Sequence, residues 1–260
     1  LEVGHRSLGG WRSTTSLNYD STEVLVSLVV TVYVPSGIVM AADSRMTVQR
    51  SEDRVEGEQT TRIQQQLVLS DNAYKVVESR KTGVGIAIYD AAMIDNQPAD
   101  SHVHRFDEEE VTPEDDVLTV GDKFLKYFQA NFPTAAVGYH IAGYRREERA
   151  QVPHVLVGHT LREPGLRRVN VAENGATQYG ITRAGDTLIA NRLIDANYLP
   201  LFTAMPLQDA VDYAVHLIRS TIDTMRFEPR FPSVGGAIDV LIVTPDGIRW
   251  VQRKELRGDA

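Results

Sequence analysis

Residues 27–45 read SLVVTVYVPSGIVMAADSR, and the reading of this stretch decides the fold. From Val24 to Val34 nearly every residue is β-branched or aromatic, the composition of a strand covered on both faces. Pro35-Ser36-Gly37 is a turn signal, and the apolar run from Gly37 to Asp43 follows it, so the two runs predict a β-hairpin. The stretch starts on a lone hydroxyl, Ser27, and ends on two charges, Asp43 and Arg45. Local pattern alone favours a plain account: a strand serine bonded to backbone and a hairpin-end charge pair, with Lys75 as its neighbour.

Working outward, further β-rich runs are YKVVES, GVGIAIY, AVGYHIAGY, PHVLVGHTL, LRRVNVAE, QYGITR, AIDVLIVT and GIRWVQ, many of them hairpin neighbours. Residues 46 to 72 are polar and read as a long excursion between strands. Two helices are predicted clearly. Thr112 caps one, with Pro113 in its first turn and Val117, Val120, Phe124, Phe128 and Phe132 on one face. The other starts near Pro206, with Leu207, Ala210, Val211, Ala214, Ile218, Ile222 and Met225 as its stripe. A shorter third follows Asp186, whose carboxylate is expected to accept from the free N–H groups at its start. RFDEEEVTPEDD reads as a solvated acidic surface at a helix start. Mostly antiparallel strands covered by helices place the chain in the α+β class.

The 260 residues, 42% hydrophobic, suffice for one large domain, expected over 24–260. Residues 1–23 are polar, Gly/Ser/Thr-rich and lack a secretory h-region, so they are expected to be a flexible tail or a removable pro-segment. A net charge of −8 argues against phosphate backbones or anionic lipid as main partners: no nucleic acid and no membrane are expected. No apolar run reaches the ~20 residues of a bilayer crossing, and a soluble protein is expected. With no cysteine, disulfides and thiolate catalysis are excluded, while the redox compartment is left open.

His102, His104, His140, His154 and His159 form no His-x-x-x-His zinc pattern, and no P-loop, dinucleotide glycine fingerprint or Gly-x-Ser-x-Gly elbow occurs. Neither metal nor cofactor is therefore expected. What remains is Ser27, Asp43 sixteen residues on, and Lys75 after the excursion. A buried lysine beside a carboxylate depresses the pKa of a neighbouring hydroxyl or amine. A serine hydroxyl needs a base, and the chain's own α-amine, with a pKa of about 8, serves if residue 27 becomes an N-terminus.

On four stretches the sequence resembles the proteasome-type N-terminal nucleophile (Ntn) hydrolases. SLVVTVYVPSGIVMAADSR is similar to the opening of proteasome β subunits, which places Ser27 on the nucleophile and Asp43 on the acid of the family. AYKVVES resembles the lysine strand, placing Lys75 on the catalytic lysine; VGYHIAGY…PHVLVGHT resembles the central hairpin, and VGGAIDVLIVTPDGIRWV the closing strand pair. The resemblance implies a four-layer αββα sandwich and hydrolysis of a peptide or other amide by a freed N-terminal Ser27. It also implies homo-oligomeric rings, alone or stacked, and a cytoplasmic location.

The departures fall around the amine. The family's supporting serine aligns with Ala184, and its supporting acid and second serine with Phe231 and Val234. Asp186 and Ser233 lie one or two positions away as substitutes, and Arg45 is a further supporting candidate. Val26 stands where a small glycine usually precedes the scissile bond. The alternative within the same fold is a non-catalytic ring-forming subunit resembling proteasome α subunits.

Overall fold

The computed structural model describes residues 27–56, 59–194 and 199–255. The expectations for residues 1–23, and for strand residues 24–26, lie outside the described residues. The opening hairpin forms as expected, except that its first strand begins at Leu28 and leaves Ser27 just outside it: β1 is Leu28–Val34 and β2 Gly37–Asp43. Together with β12 (Gly180–Gly185), β13 (Ile238–Thr244) and β14 (Gly247–Gln252) they build a five-stranded sheet of order β12-β1-β2-β13-β14. A second sheet uses β5 (Val76–Ser79), β6 (Val84–Asp90), β9 (Val137–Glu147), β10 (Ala150–His159) and β11 (Glu163–Arg168), in the order β11-β10-β9-β6-β5.

Side-chain alternation explains why the first strands carry almost no polar residue. In β1, Leu28, Val30, Val32 and Val34 face one apolar cluster, whereas Val29 and Tyr33 belong to another. The first cluster is shared with β2, β13 and the helices α3 (Leu188–Leu193) and α4 (Leu207–Met225). The other joins Ile38, Met40 and Leu241 of the first sheet to Val76, Ala87, Ala142 and Val155 of the second. On the far side of the second sheet, Ile86, Tyr139 and Ile141 pack against Val103 and Phe106 of α1 (Ala99–Glu109) and Phe124 and Phe128 of α2 (Val117–Asn131). Each sheet is thus apolar on both faces, and each fully buried Val or Ile contributes about 1.5–3 kcal/mol. Thr31 is the polar exception inside β1: its hydroxyl sits 2.9 Å from His140 Nδ1 on β9, a hydrogen bond between the sheets.

Several elements differ from their expectation. The excursion is a two-stranded ribbon, β3 (Met46–Glu56) with β4 (Gln59–Ser70), whose polar residues pair in register and hide the strand signal. A short pair, β7 (Met93–Ile94) with β8 (Gln97–Pro98), precedes α1. Helix α1 went unread because a histidine, His102, completes its buried stripe with Ala99, Val103 and Phe106. The acidic run therefore spans the end of α1 and the turn after it instead of one helix start. Thr112 does not cap α2: its N–H is taken by Asp115, and Asp116, in extended conformation, caps the helix by accepting from Thr119 N–H at 2.9 Å. Asp186 does not cap α3 either; Thr187 is the cap residue, and the Asp186 carboxylate is held by Ser233 and Arg230.

Candidate active site

Asp43 ends β2 on the first sheet and Lys75 directly precedes β5 on the second, so their ion pair bridges the two sheets at one end of the interface. Lys75 Nζ donates to Asp43 Oδ1 at 2.7 Å, and the same oxygen accepts the N–H of Leu28 at 2.8 Å. Oδ2 accepts from the backbone N–H groups of Arg45 (3.1 Å) and Gly235 (2.9 Å). The carboxylate, fully out of solvent, thereby carries four donors, the hydrogen-bond compensation that burial of such a group requires. Burial pushes the Lys75 ammonium below the usual lysine range; Asp43 opposes that shift, and the charges of Lys254 and Arg45 add to it.

Ser27 lies beside this pair. The Asp43–Leu28 bond fixes the residue after it, and Ser27 C=O accepts Asp186 N–H at 2.7 Å. Its φ of 75° is in the left-handed region, where a residue with a Cβ sits at a cost of about 1–3 kcal/mol. Ser27 and Lys75 line a common cavity of about 20 Å³, room for about one water. Met46, Ala73 and Ile88 contribute apolar wall, and Asp100, from the first turn of α1, contributes a carboxyl raised by burial. A larger, open cleft of about 630 Å³ lies elsewhere, between the β5–β6 and β13–β14 turns, and contains none of Ser27, Asp43 and Lys75.

Arg45 is placed as a clasp. Its guanidinium grips Asp71 through Nε (2.6 Å) and Nη2 (2.9 Å) and donates to Pro232 C=O at 3.0 Å. The bidentate bond holds Asp71 below the ordinary carboxylate range. Gly235 passes directly under this group: a Cβ there would lie 2.4 Å from the guanidinium carbon. Asp186 and Ser233 meet, Ser233 Oγ donating to Asp186 Oδ2 at 2.6 Å, and Arg230 Nη1 pairs with the same oxygen. Asp186 Oδ1 is buried with no partner among the described residues.

All six residues singled out in the sequence thus gather at one end of the two sheets. Sequence reading missed Gly235 N–H as a ligand of Asp43, Arg230 as the partner of Asp186 and Asp71 as the partner of Arg45. Gly235 sat within VGGAID, whose glycines signal close backbone approach; Arg230 and Asp71 carried no pattern of their own. The buried histidines serve packing: His140 bonds Thr31, His154 Glu147, His159 Asp90, and His102 the carbonyl of Ile94. Among the described residues no group of three or more His, Asp or Glu is arranged to hold a metal ion.

No protein-family model matches the chain, and no curated protein matches it by sequence. Among solved structures it is similar to a (Gly-1) mutant of Anbu from Hyphomicrobium sp. strain MC1, at 15% identity over 90% of this chain and 88% of that one, with a TM-score of 0.55. Anbu is a proteasome-like member of the Ntn hydrolases. At this identity the likeness speaks for the fold and transfers no residue's role.

Proposed function

We propose that the chain is an amide-bond hydrolase, a proteasome-like peptidase on a four-layer αββα sandwich, whose nucleophile is Ser27 once residues 1–26 have been removed. The observation that carries this reading is the Asp43 carboxylate: one of its oxygens binds both the Lys75 ammonium and the N–H of Leu28, so a fixed cation stands beside the residue preceding Leu28. The left-handed backbone at Ser27 supports it, because strain next to a bond favours its opening. In the 260-residue chain Ser27 nitrogen is still an amide to Val26.

Opening that bond by the chain itself requires Ser27 Oγ to attack the Val26 carbonyl carbon, shifting the acyl group from nitrogen to oxygen. Water then hydrolyses the ester, leaving a Val26 carboxylate and a free Ser27 amine. In turnover the amine accepts the Oγ proton while Oγ attacks the substrate carbonyl, and it returns that proton to the leaving amine. Water releases the acyl group in the same way. Lys75 lowers the cost of the negative oxygen, and Asp43 holds Lys75. The unpartnered Asp186 Oδ1, with Ser233 on the other oxygen, supplies an acceptor for the freed ammonium. Homo-oligomeric assembly, as rings, belongs to the same proposal, and no helix among the described residues is long and apolar enough to cross a membrane.

The test is intact-mass and N-terminal analysis of the full chain, with labelling by a hydroxyl-directed covalent inhibitor. An N-terminal Ser27 that takes the label is expected; a chain that stays joined at Val26–Ser27 and takes none refutes the proposal. The apolar or small residues at Ala184, Phe231 and Val234 favour the second reading, a non-catalytic ring subunit. In that case Ser27→Ala leaves assembly and every measured activity as in wild type.

A further inference from the structure

The residues that follow β14 are anchored beside the site by several contacts. Lys254 N–H donates to Asp239 Oδ1 at 2.9 Å, and Lys254 Nζ pairs with Asp239 Oδ2. The same ammonium donates to Ser44 Oγ at 2.9 Å and lies 4.2 Å from the centre of the Tyr74 ring. Arg253 stacks on that ring too, at 5.3 Å, and on Trp250 at 4.7 Å. Ser44 and Asp239 are almost fully buried, and the Lys254 side chain is 7% exposed.

The position of these partners in the chain matters. Ser44 is the residue after Asp43, and Tyr74 is the residue before Lys75. Lys254 therefore touches the immediate neighbour of each member of the ion pair, one just past the end of β2 and one just ahead of β5. Ser44 is otherwise tied on both sides: its N–H donates to Gly235 C=O (3.0 Å) and its C=O accepts from Ala73 N–H (2.9 Å). A buried lysine–aspartate pair is often no more stabilising than an apolar replacement of the same shape, so stability alone does not account for one placed here.

We propose that Lys254 is a positioning residue for the Lys75–Asp43 pair, clamping Ser44 and Tyr74 from behind so that the Lys75 ammonium stays on Asp43 Oδ1. The inference rests on the hydrolase reading only for its catalytic consequence; the geometry stands without it. The charges facing Lys75 are Asp43 at the end of β2, Arg45 beyond it, Asp71 before β5 and Lys254 itself, while Asp100 of α1 shares the cavity. Among these Lys254 and Arg45 are like charges that lower the pH at which Lys75 loses its proton, while the charge and hydrogen bond of Asp43 raise it by more, so release of the ammonium from Asp43 shifts the midpoint down and loss of the Lys254 charge alone shifts it up.

The chain has only five lysines, at 75, 81, 123, 126 and 254, so ¹⁵N-lysine NMR of the full-length protein resolves Lys75, assigned by its loss in Lys75→Arg. Lys254→Met is expected to displace the Lys75 resonance and, as the ammonium leaves Asp43 Oδ1, to move its titration midpoint downward, whereas Lys254→Arg, which keeps the charge and the ring contact, holds both near wild type. If Lys254→Met alone does not fold because Asp239 is left uncompensated, Lys254→Met with Asp239→Asn removes both charges and still displaces Lys75. An unchanged Lys75 resonance, or a midpoint that moves upward as loss of charge alone would move it, in the folded single or double variant overturns the proposal. In the form beginning at Ser27, kcat should fall in Lys254→Met with KM unchanged, by up to about 100-fold if the Lys75 ammonium moves by about 1 Å. Wild-type kcat in that variant also overturns it. Absence of hydrolysis in the wild type would instead sink the hydrolase reading, and the NMR result would still decide the role of Lys254.

Discussion

Asp43→Asn should destabilise the protein more than Lys75→Met, although the two changes break the same ion pair. The reason is the uneven share of partners. Asp43 accepts four hydrogen bonds, from Leu28, Lys75, Arg45 and Gly235, and its side chain is fully buried. An asparagine retains one acceptor oxygen and turns an NH₂ toward two of those donors. Each buried donor left without a partner costs about 1–3 kcal/mol, and breaking a buried pair from one side costs about 3–5 kcal/mol in all. With Lys75→Met the carboxylate loses its counter-charge but keeps three backbone N–H bonds, so the loss falls at the low end of that range, about 3 kcal/mol. Against a total stability of about 5–15 kcal/mol, both effects are large. Urea titration at constant m measures each single variant and the double one, in which the losses should fall short of additivity by about 0.5–3 kcal/mol. An Asp43→Asn loss below about 1 kcal/mol, or a larger loss for Lys75→Met, would show that Asp43 does not organise this end of the two sheets as the bonding pattern requires.

Three further outcomes follow from particular contacts. His140 is buried between the sheets with its pKa lowered to about 3 from 6.5, so between those values the unfolded chain binds the extra proton. Its contribution is complete above about pH 6.5 and is lost on acidification, about 2 kcal/mol by pH 5, and His140→Gln should flatten that part of a stability–pH curve measured in urea. Gly236 has φ 78°, and a Cβ there would lie 2.4 Å from the Asp71 carbonyl oxygen, so Gly236→Ala should lower the unfolding free energy measured in urea by more than the ~1 kcal/mol expected of the backbone conformation alone. Leu217, fully buried in α4 against the first sheet, should lose about 2–5 kcal/mol on change to Ala, read as a fall in Tm.

The opening hairpin, the central hairpin and α4 were legible because their information is local: a β-branched run, a turn and a 3.6-residue stripe each act within a dozen residues. α1 was not legible because its buried face counts a histidine among four positions, and His102 becomes a core residue only when Ile94 C=O and the Phe132 ring meet it. The β3–β4 ribbon escaped for the opposite reason: its polar strands satisfy each other's backbone and have no apolar period to read.

By itself, the sequence determined the mixed α+β character, the two-faced burial of β1 and β2 and, through resemblance, the grouping of Ser27 with Asp43 and Lys75. These depend on neighbours in the chain or on short stretches whose spacing is preserved. Only the tertiary structure decided how the charges are held. Gly235 N–H reaches Asp43 from 192 residues away, Arg230 reaches Asp186 from 44, and Lys254 reaches Ser44 from 210. A buried charge is stabilised by donors brought from whichever elements pack around it, and that set is fixed by how two sheets stack, a property no local pattern encodes.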